Sequence, residues 1–80
     1  MSRFIKIDTY LSNRCWLYDR YFDKEKDTEN SIKYLYEEYP SAHIKSIKDN
    51  QRPDLGFRIY IKFKNNSDEA FFITKETNSA

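Results

Sequence analysis

Polar and apolar residues alternate from Ser2 to Tyr10, the period of a half-buried strand. Ile5, Ile7, Thr9 and Leu11 fall on one face, with Phe4, Lys6, Asp8 and Tyr10 on the other. Ser12-Asn13 reads as a short turn, and Arg14 to Phe22 as a second strand. That strand sets Cys15, Leu17 and Tyr21 against Trp16, Tyr18, Arg20 and Phe22. Leu17 and Tyr21 are also four apart, so a helix fits too, but the aromatic density favours a strand.

The period then changes. After the charged loop Asp23–Asp27, Ile32, Leu35, Tyr36 and Tyr39 recur at i, i+3, i+4 and i+7, the mark of an amphipathic helix. Asp27 or Thr28 is placed to cap it by accepting a bond from the free N–H groups of the first turn. Pro40 closes it, because proline restricts the residue before it and has no N–H for Tyr36. The spacing predicts a helix over 28–39.

Three further strands are expected. His43 to Asp49 is the first, although Ile44 and Ile47 break strict alternation. Asn50–Gly56 is a loop, with Pro53 presetting a turn and Gly56 free to take positive φ. Phe57 to Lys64 alternates best, with Phe57, Ile59, Ile61 and Phe63 inward and Arg58, Tyr60, Lys62 and Lys64 outward. Asn65-Asn66-Ser67-Asp68 is read as a turn and Glu69 to Lys75 as the last strand. The expected fold is α+β in two layers, in the order ββαβββ. One largely antiparallel sheet of four to five strands carries a single helix on one face. Residues 1–80 are expected to form one domain, with 76–80 frayed.

Composition sharpens this picture. Ile, Leu and Phe make up 18 of the 80 residues and Val is absent, so the core must draw bulk from Tyr, Phe and Trp. The net charge of +1 hides a segregation. Residues 23–40 hold three basic and six acidic groups, whereas residues 41–64 hold six and two. The helix is therefore expected to be acidic and the sheet that follows it basic, a dipolar surface able to orient a charged partner. The single cysteine, Cys15, permits no internal disulfide, which favours a reducing compartment. The first residues lack the apolar run of a signal peptide, and the longest apolar stretch, Ala70–Ile73, is far too short to span a bilayer. A cytoplasmic protein with no membrane contact is expected.

Little here points to catalysis. One His and one Cys, His43 and Cys15, show no spacing that suggests a nucleophile and its base, and a lone cysteine is ordinarily a core residue. Asp23, Glu25, Asp27 and Glu29 could crowd round a cation. However, a calcium loop counted from Asp23 needs Gly and Glu where Thr28 and Tyr34 stand. Gly56 is the only glycine, so no glycine-rich phosphate loop exists. No catalytic residue, cofactor or metal is assigned.

Binding surfaces remain. Tyr34 lies about 200° round the helix from Ile32. That puts it off the core stripe beside Glu37 and Glu38, as an anchor for a protein contact. Arg52 and Leu55 on the proline-stiffened loop form a second contact patch. Arg58, Tyr60, Lys62 and Lys64 make a basic strand face with an interleaved aromatic, the physical type of a platform for single-stranded nucleic acid. The aromatic surplus also suggests self-association, through the open sheet face or an edge strand. The main expectation is a small non-enzymatic interaction protein that occludes or modulates a protein partner, in the manner of small phage or mobile-element inhibitors of host factors. The alternative is a nucleic-acid-binding module.

Overall fold

The computed structural model describes residues 3–7 and 14–78. Six elements follow one another: strands β1 (Phe4–Ile7) and β2 (Cys15–Tyr18), helix α1 (Glu25–Glu38), strands β3 (His43–Lys48) and β4 (Phe57–Lys62), and helix α2 (Asn66–Asn78). A short 3₁₀ turn, Pro53–Leu55, stands between β3 and β4. The strands form one antiparallel sheet in the order β1-β2-β4-β3. Since β2 and β3 both run antiparallel to β4 between them, they are parallel to each other, and α1 is the crossover that joins them.

Each strand contributes one face to the core. Cross-strand partners share a face, so the register puts Phe4, Trp16, Tyr18, Ile44, Ile59 and Ile61 on one side. Phe63 continues the alternation of β4 and is fully buried. Tyr39, which caps the end of α1, and Phe72 of α2 close over this side, so both helices cover the same face. Phe72 is 1% exposed and meets Phe4, Trp16, Tyr39 and Phe63 with ring centroids 4.9 to 5.8 Å apart. Aromatic edges thus supply the volume that the missing valines would have filled.

The largest departure from the sequence reading lies at the end of the chain. Glu69–Lys75 is not a fifth strand but the middle of α2, so the order is ββαββα with two helices. The run Ala70–Ile73 is too short for periodicity to separate strand from helix. Two local features decide for the helix. Asn65 Oδ1 accepts the Asp68 N–H at 2.8 Å, a capping bond for the free first turn. Asp68 and Glu69 lie at the start and Lys75 at the end, as the helix dipole prefers. Only Phe72 of the apolar run is buried, while Phe71 and Ile73 are 54% and 40% exposed.

Smaller corrections concern boundaries. The first strand is shorter than read, and residues 8–13, with the expected turn, lie outside the described residues. The second strand ends at Tyr18, and Phe22 forms an isolated bridge with Phe57. α1 starts at Glu25, so Asp27 and Thr28 are not its cap; the Thr28 hydroxyl is buried and donates to the Glu25 carbonyl at 2.6 Å. The end at Pro40 is as read: Tyr39 N–H reaches Leu35 O and the helix stops. Ile44 and Ile47 are three apart in a strand and so point to opposite faces, which explains the broken alternation. Gly56 takes φ 99°, and a Cβ there would stand 2.3 Å from the Phe22 carbonyl oxygen. That close approach lets Phe22 and Phe57 exchange both backbone bonds, at 2.6 and 2.7 Å.

Candidate binding surfaces

The register assigns the opposite sheet face to Ile5 and Ile7 of β1, Cys15 and Leu17 of β2, Arg58, Tyr60 and Lys62 of β4, and His43, Lys45 and Ile47 of β3. No described helix covers this face. Ile5 is 51% exposed, and Ile7, Leu17, Ile47 and Tyr60 are each partly exposed. Lys45, Lys62 and His43 are exposed among them.

Charge is sorted by secondary structure. The four strands carry five basic side chains, Lys6, Lys45, Lys48, Arg58 and Lys62, and no acidic one. α1 carries five acidic and two basic groups, and α2 three and one. Lys6 and Lys48 share the helix side with Trp16 and Phe57, which leaves Lys45, Arg58 and Lys62 on the open face.

The residues read as a nucleic-acid platform are brought together, but they are not equivalent. The Arg58 guanidinium donates to the Tyr18 carbonyl from Nε and Nη2 at 3.0 and 2.6 Å, and to the Tyr21 hydroxyl at 2.9 Å. Its side chain is only 11% exposed, and Asp49 lies 3.9 Å away. Arg58 is thus a staple between β4 and the end of β2 with the segment that follows it. The Tyr21 hydroxyl in turn donates to Asp49, a bond that raises its pKa because losing the proton would forfeit it. Tyr60 shares a hydrogen bond with Cys15 Sγ at 3.2 Å, and burial, together with that bond, pushes its phenol up to about 12. Lys45 Nζ sits 5.4 Å from the centre of the Tyr60 ring. Lys62 and Lys64 line one shallow cavity of about 240 Å³ with Ser41, His43 and Phe63. The usable cations of this face are therefore Lys45 and Lys62 rather than Arg58, with Lys64 next to Lys62 beyond the end of β4.

The residues read as protein contacts are spread over separate places. Tyr34 is 65% exposed and overhangs a cavity of about 510 Å³ between α1 and the sheet, with Phe4, Tyr18, Leu35 and Ile59 in its lining. Glu38 is tied to Lys75 of α2 at 2.5 Å. Glu37 is exposed near the same end of α1. Arg52 and Leu55 belong to the other end: Phe22 pairs with Phe57, so the 3₁₀ turn lies near the start of α1, about 18 Å along the helix from Glu37. Arg52 pairs within its own loop with Asp54, at 3.3 Å from both Nε and Nη2, while Leu55 is partly buried.

α2 contributes a polar anchor that periodicity did not reveal. The Glu69 carboxylate accepts from Lys6 Nζ at 2.6 Å and Trp16 Nε1 at 2.9 Å. Burial works against its charge, yet these two bonds hold it below the usual carboxylate range. Cys15 and His43 share a face, but β4 runs between them with Lys62 opposite both. Two strand spacings separate them by about 10 Å, beyond hydrogen-bond reach. Among the described residues no cluster of His, Cys, Asp and Glu is placed to hold a metal ion, and no helix is long and apolar enough to cross a membrane.

Ile5, Leu17, Ile47, His43 and Lys45 complete the open face, and none was singled out in the sequence reading as a site residue. The alternation of their strands held the signal, but only the strand order makes them neighbours. No family model matches this sequence, nor does any curated protein or solved structure.

Proposed function

We propose that this chain is a small binding protein that receives another protein on the open face of its sheet and acts by occluding that protein's surface. The observation that supports this reading is the pairing of an apolar patch that no described helix covers, Ile5, Leu17, Tyr60 and Ile47, with Lys45 and Lys62 beside it on a sheet whose strands carry no acidic side chain. Apolar centres with charged rims are how protein interfaces are built. The partner implied is an apolar patch flanked by Asp or Glu. Aliphatic side chains outnumber the aromatic one here, whereas stacking on bases calls for exposed rings. Two copies joined face to face would bring Lys45 and Lys62 towards the same lysines, which disfavours a second copy on this surface.

Nucleic acid is the second reading, favoured by the shared cavity of Lys62, Lys64 and His43. One experiment separates the two. Immobilised wild-type chain is expected to retain a protein from nuclease-treated lysate of its native cell. The Lys45→Glu/Lys62→Glu variant should weaken that retention at least about tenfold, or 1.4 kcal/mol, while Tyr34→Ala on the opposite layer leaves it intact. Equal retention by the double variant would falsify the assignment of the face. Retention that nuclease abolishes and that falls steeply with salt would give the same face to nucleic acid.

A further inference from the structure

Strand β3 is an edge of the sheet, with β4 on its inner side. Residues of an antiparallel strand alternately aim their backbone groups at one neighbour and at the other. Phe57 exchanges both bonds with Phe22 on the β2 side, so Arg58, Tyr60 and Lys62 must aim theirs at β3. Their partners are Ile47, Lys45 and His43. It follows that Ile44, Ser46 and Lys48 direct N–H and C=O away from the sheet. At Ile44 both groups are taken by one side chain: the Tyr36 hydroxyl donates to Ile44 O at 2.9 Å and accepts from Ile44 N–H at 3.1 Å. A single phenol thus makes the two bonds that a residue on a neighbouring strand would make.

We propose that the outer edge of β3 is a pairing surface for a second copy of this chain, and that the Tyr36 hydroxyl keeps it closed. The register selects that occupant. A two-fold axis through Ser46 pairs Ser46 with its counterpart and Ile44 with Lys48 of the second copy, using all three outward residues. On the open face it sets Lys45 opposite Ile47. No two like charges then stand directly opposed, the condition that lysines on an edge normally defeat. The Ser46 hydroxyl is buried and has no hydrogen-bond partner among the described residues, and in this register it meets its own copy. Pairing requires the Ile44 bonds and therefore requires Tyr36 to swing out. This edge is separate from the open face, so the inference does not rest on the proposed function.

The test compares wild type, Tyr36→Phe and Tyr36→Phe/Ser46→Pro by sedimentation velocity from about 10 to about 500 µM, since association follows mass action. Proline at position 46 removes an N–H that points away from β4 and costs no bond of the internal ladder. Wild type is expected to remain monomeric, Tyr36→Phe to dimerise at least about tenfold more tightly, and the double variant to return to monomer. A folded Tyr36→Phe chain that stays monomeric, or a dimer that survives Ser46→Pro, overturns the proposal. So does a wild-type dimer that Ser46→Pro alone dissolves. Amide exchange on the wild type gives a check independent of any variant. Ile44 N–H should exchange more slowly than the N–H groups of Ser46 and Lys48, and equal rates would overturn the proposal as well.

Discussion

The two sides of the sheet share a backbone and differ in almost everything else. On the helix side, Phe4, Trp16, Tyr39, Phe63 and Phe72 interlock as a core of aromatic edges, roofed by helices with eight acidic and three basic groups. On the open side, Ile5, Leu17, Tyr60 and Ile47 lie beside Lys45 and Lys62, with no acid on any strand. Stability therefore resides in one layer and exposed apolar surface in the other. A domain of this size has little stability in reserve, so an apolar face that no described helix covers calls for a role beyond folding.

Substitutions probe that division, taken from the largest expected effect to the smallest, with Leu17→Ala as the comparison for the first. Phe72→Ala should be the most damaging, because it removes the ring that joins Phe4, Trp16, Tyr39 and Phe63. A loss of about 3–5 kcal/mol is expected in denaturant unfolding, against about 1 kcal/mol for Leu17→Ala on the half-exposed open face. Comparable losses at the two positions would mean that the open face is as much a core as the other. Gly56→Ala comes next, at roughly 2–3 kcal/mol, since any side chain is strained at that positive φ. Its Cβ would also meet the Phe22 carbonyl, so the Phe22–Phe57 bridge should be the first place where amide protection is lost.

Glu69→Gln should cost about 1.5 kcal/mol, the low end of the range for hydrogen bonds to a charged group because the amide oxygen can still accept, and it carries a pH signature. Folding lowers the Glu69 pKa, so the unfolded chain binds the proton more readily. The contribution is then complete above the ordinary carboxylate range and is lost as pH falls through the lower folded value. Wild type should lose stability faster than Glu69→Gln below about pH 5. Parallel pH profiles would show that the Lys6 and Trp16 bonds leave the charged form no better off. Lys45→Glu/Lys62→Glu should be nearly silent in unfolding, within about 0.5 kcal/mol as for exposed side chains, and is expected to act only on retention of a partner.

The parts of the fold that were legible share a simple physical basis. α1 was readable because Ile32, Leu35 and Tyr39 repeat on one stripe and Pro40 ends it. β4 was readable because Ile59, Ile61 and Phe63 alternate inward through a single buried face. α2 was not, because its inward residues are Glu69 and Phe72, one polar and one apolar, while Phe71 and Ile73 are exposed. A helix held by a carboxylate and one ring has no apolar period to detect. The Asn65 cap and the acidic first turn are the available signals, and the same run of Asn, Ser and Asp equally suits a turn.

The candidate site divides in the same way. Arg58, Tyr60 and Lys62 could be placed on one face because positions two apart in a strand must share it. That Arg58 spends its donors on Tyr18 and Tyr21 could not be seen, since those partners lie forty and thirty-seven positions away. Nor could the union of Tyr34, Glu37 and Glu38 with Arg52 and Leu55 be tested on the chain, and the crossover direction of α1 sets them at opposite ends.

By itself the sequence determined the local matters: which segments alternate, where Pro40 ends a helix, which loop needs Gly56, and that acid and base are segregated along the chain. These depend on interactions within a few residues. Tertiary structure alone decided that β4 enters between β2 and β3, that α2 carries the last acidic segment onto the helix side, and that Ile5, Leu17, Tyr60 and Ile47 come together on one face. Such facts rest on pairings between distant segments, and alternation names the faces of a strand without naming its neighbours.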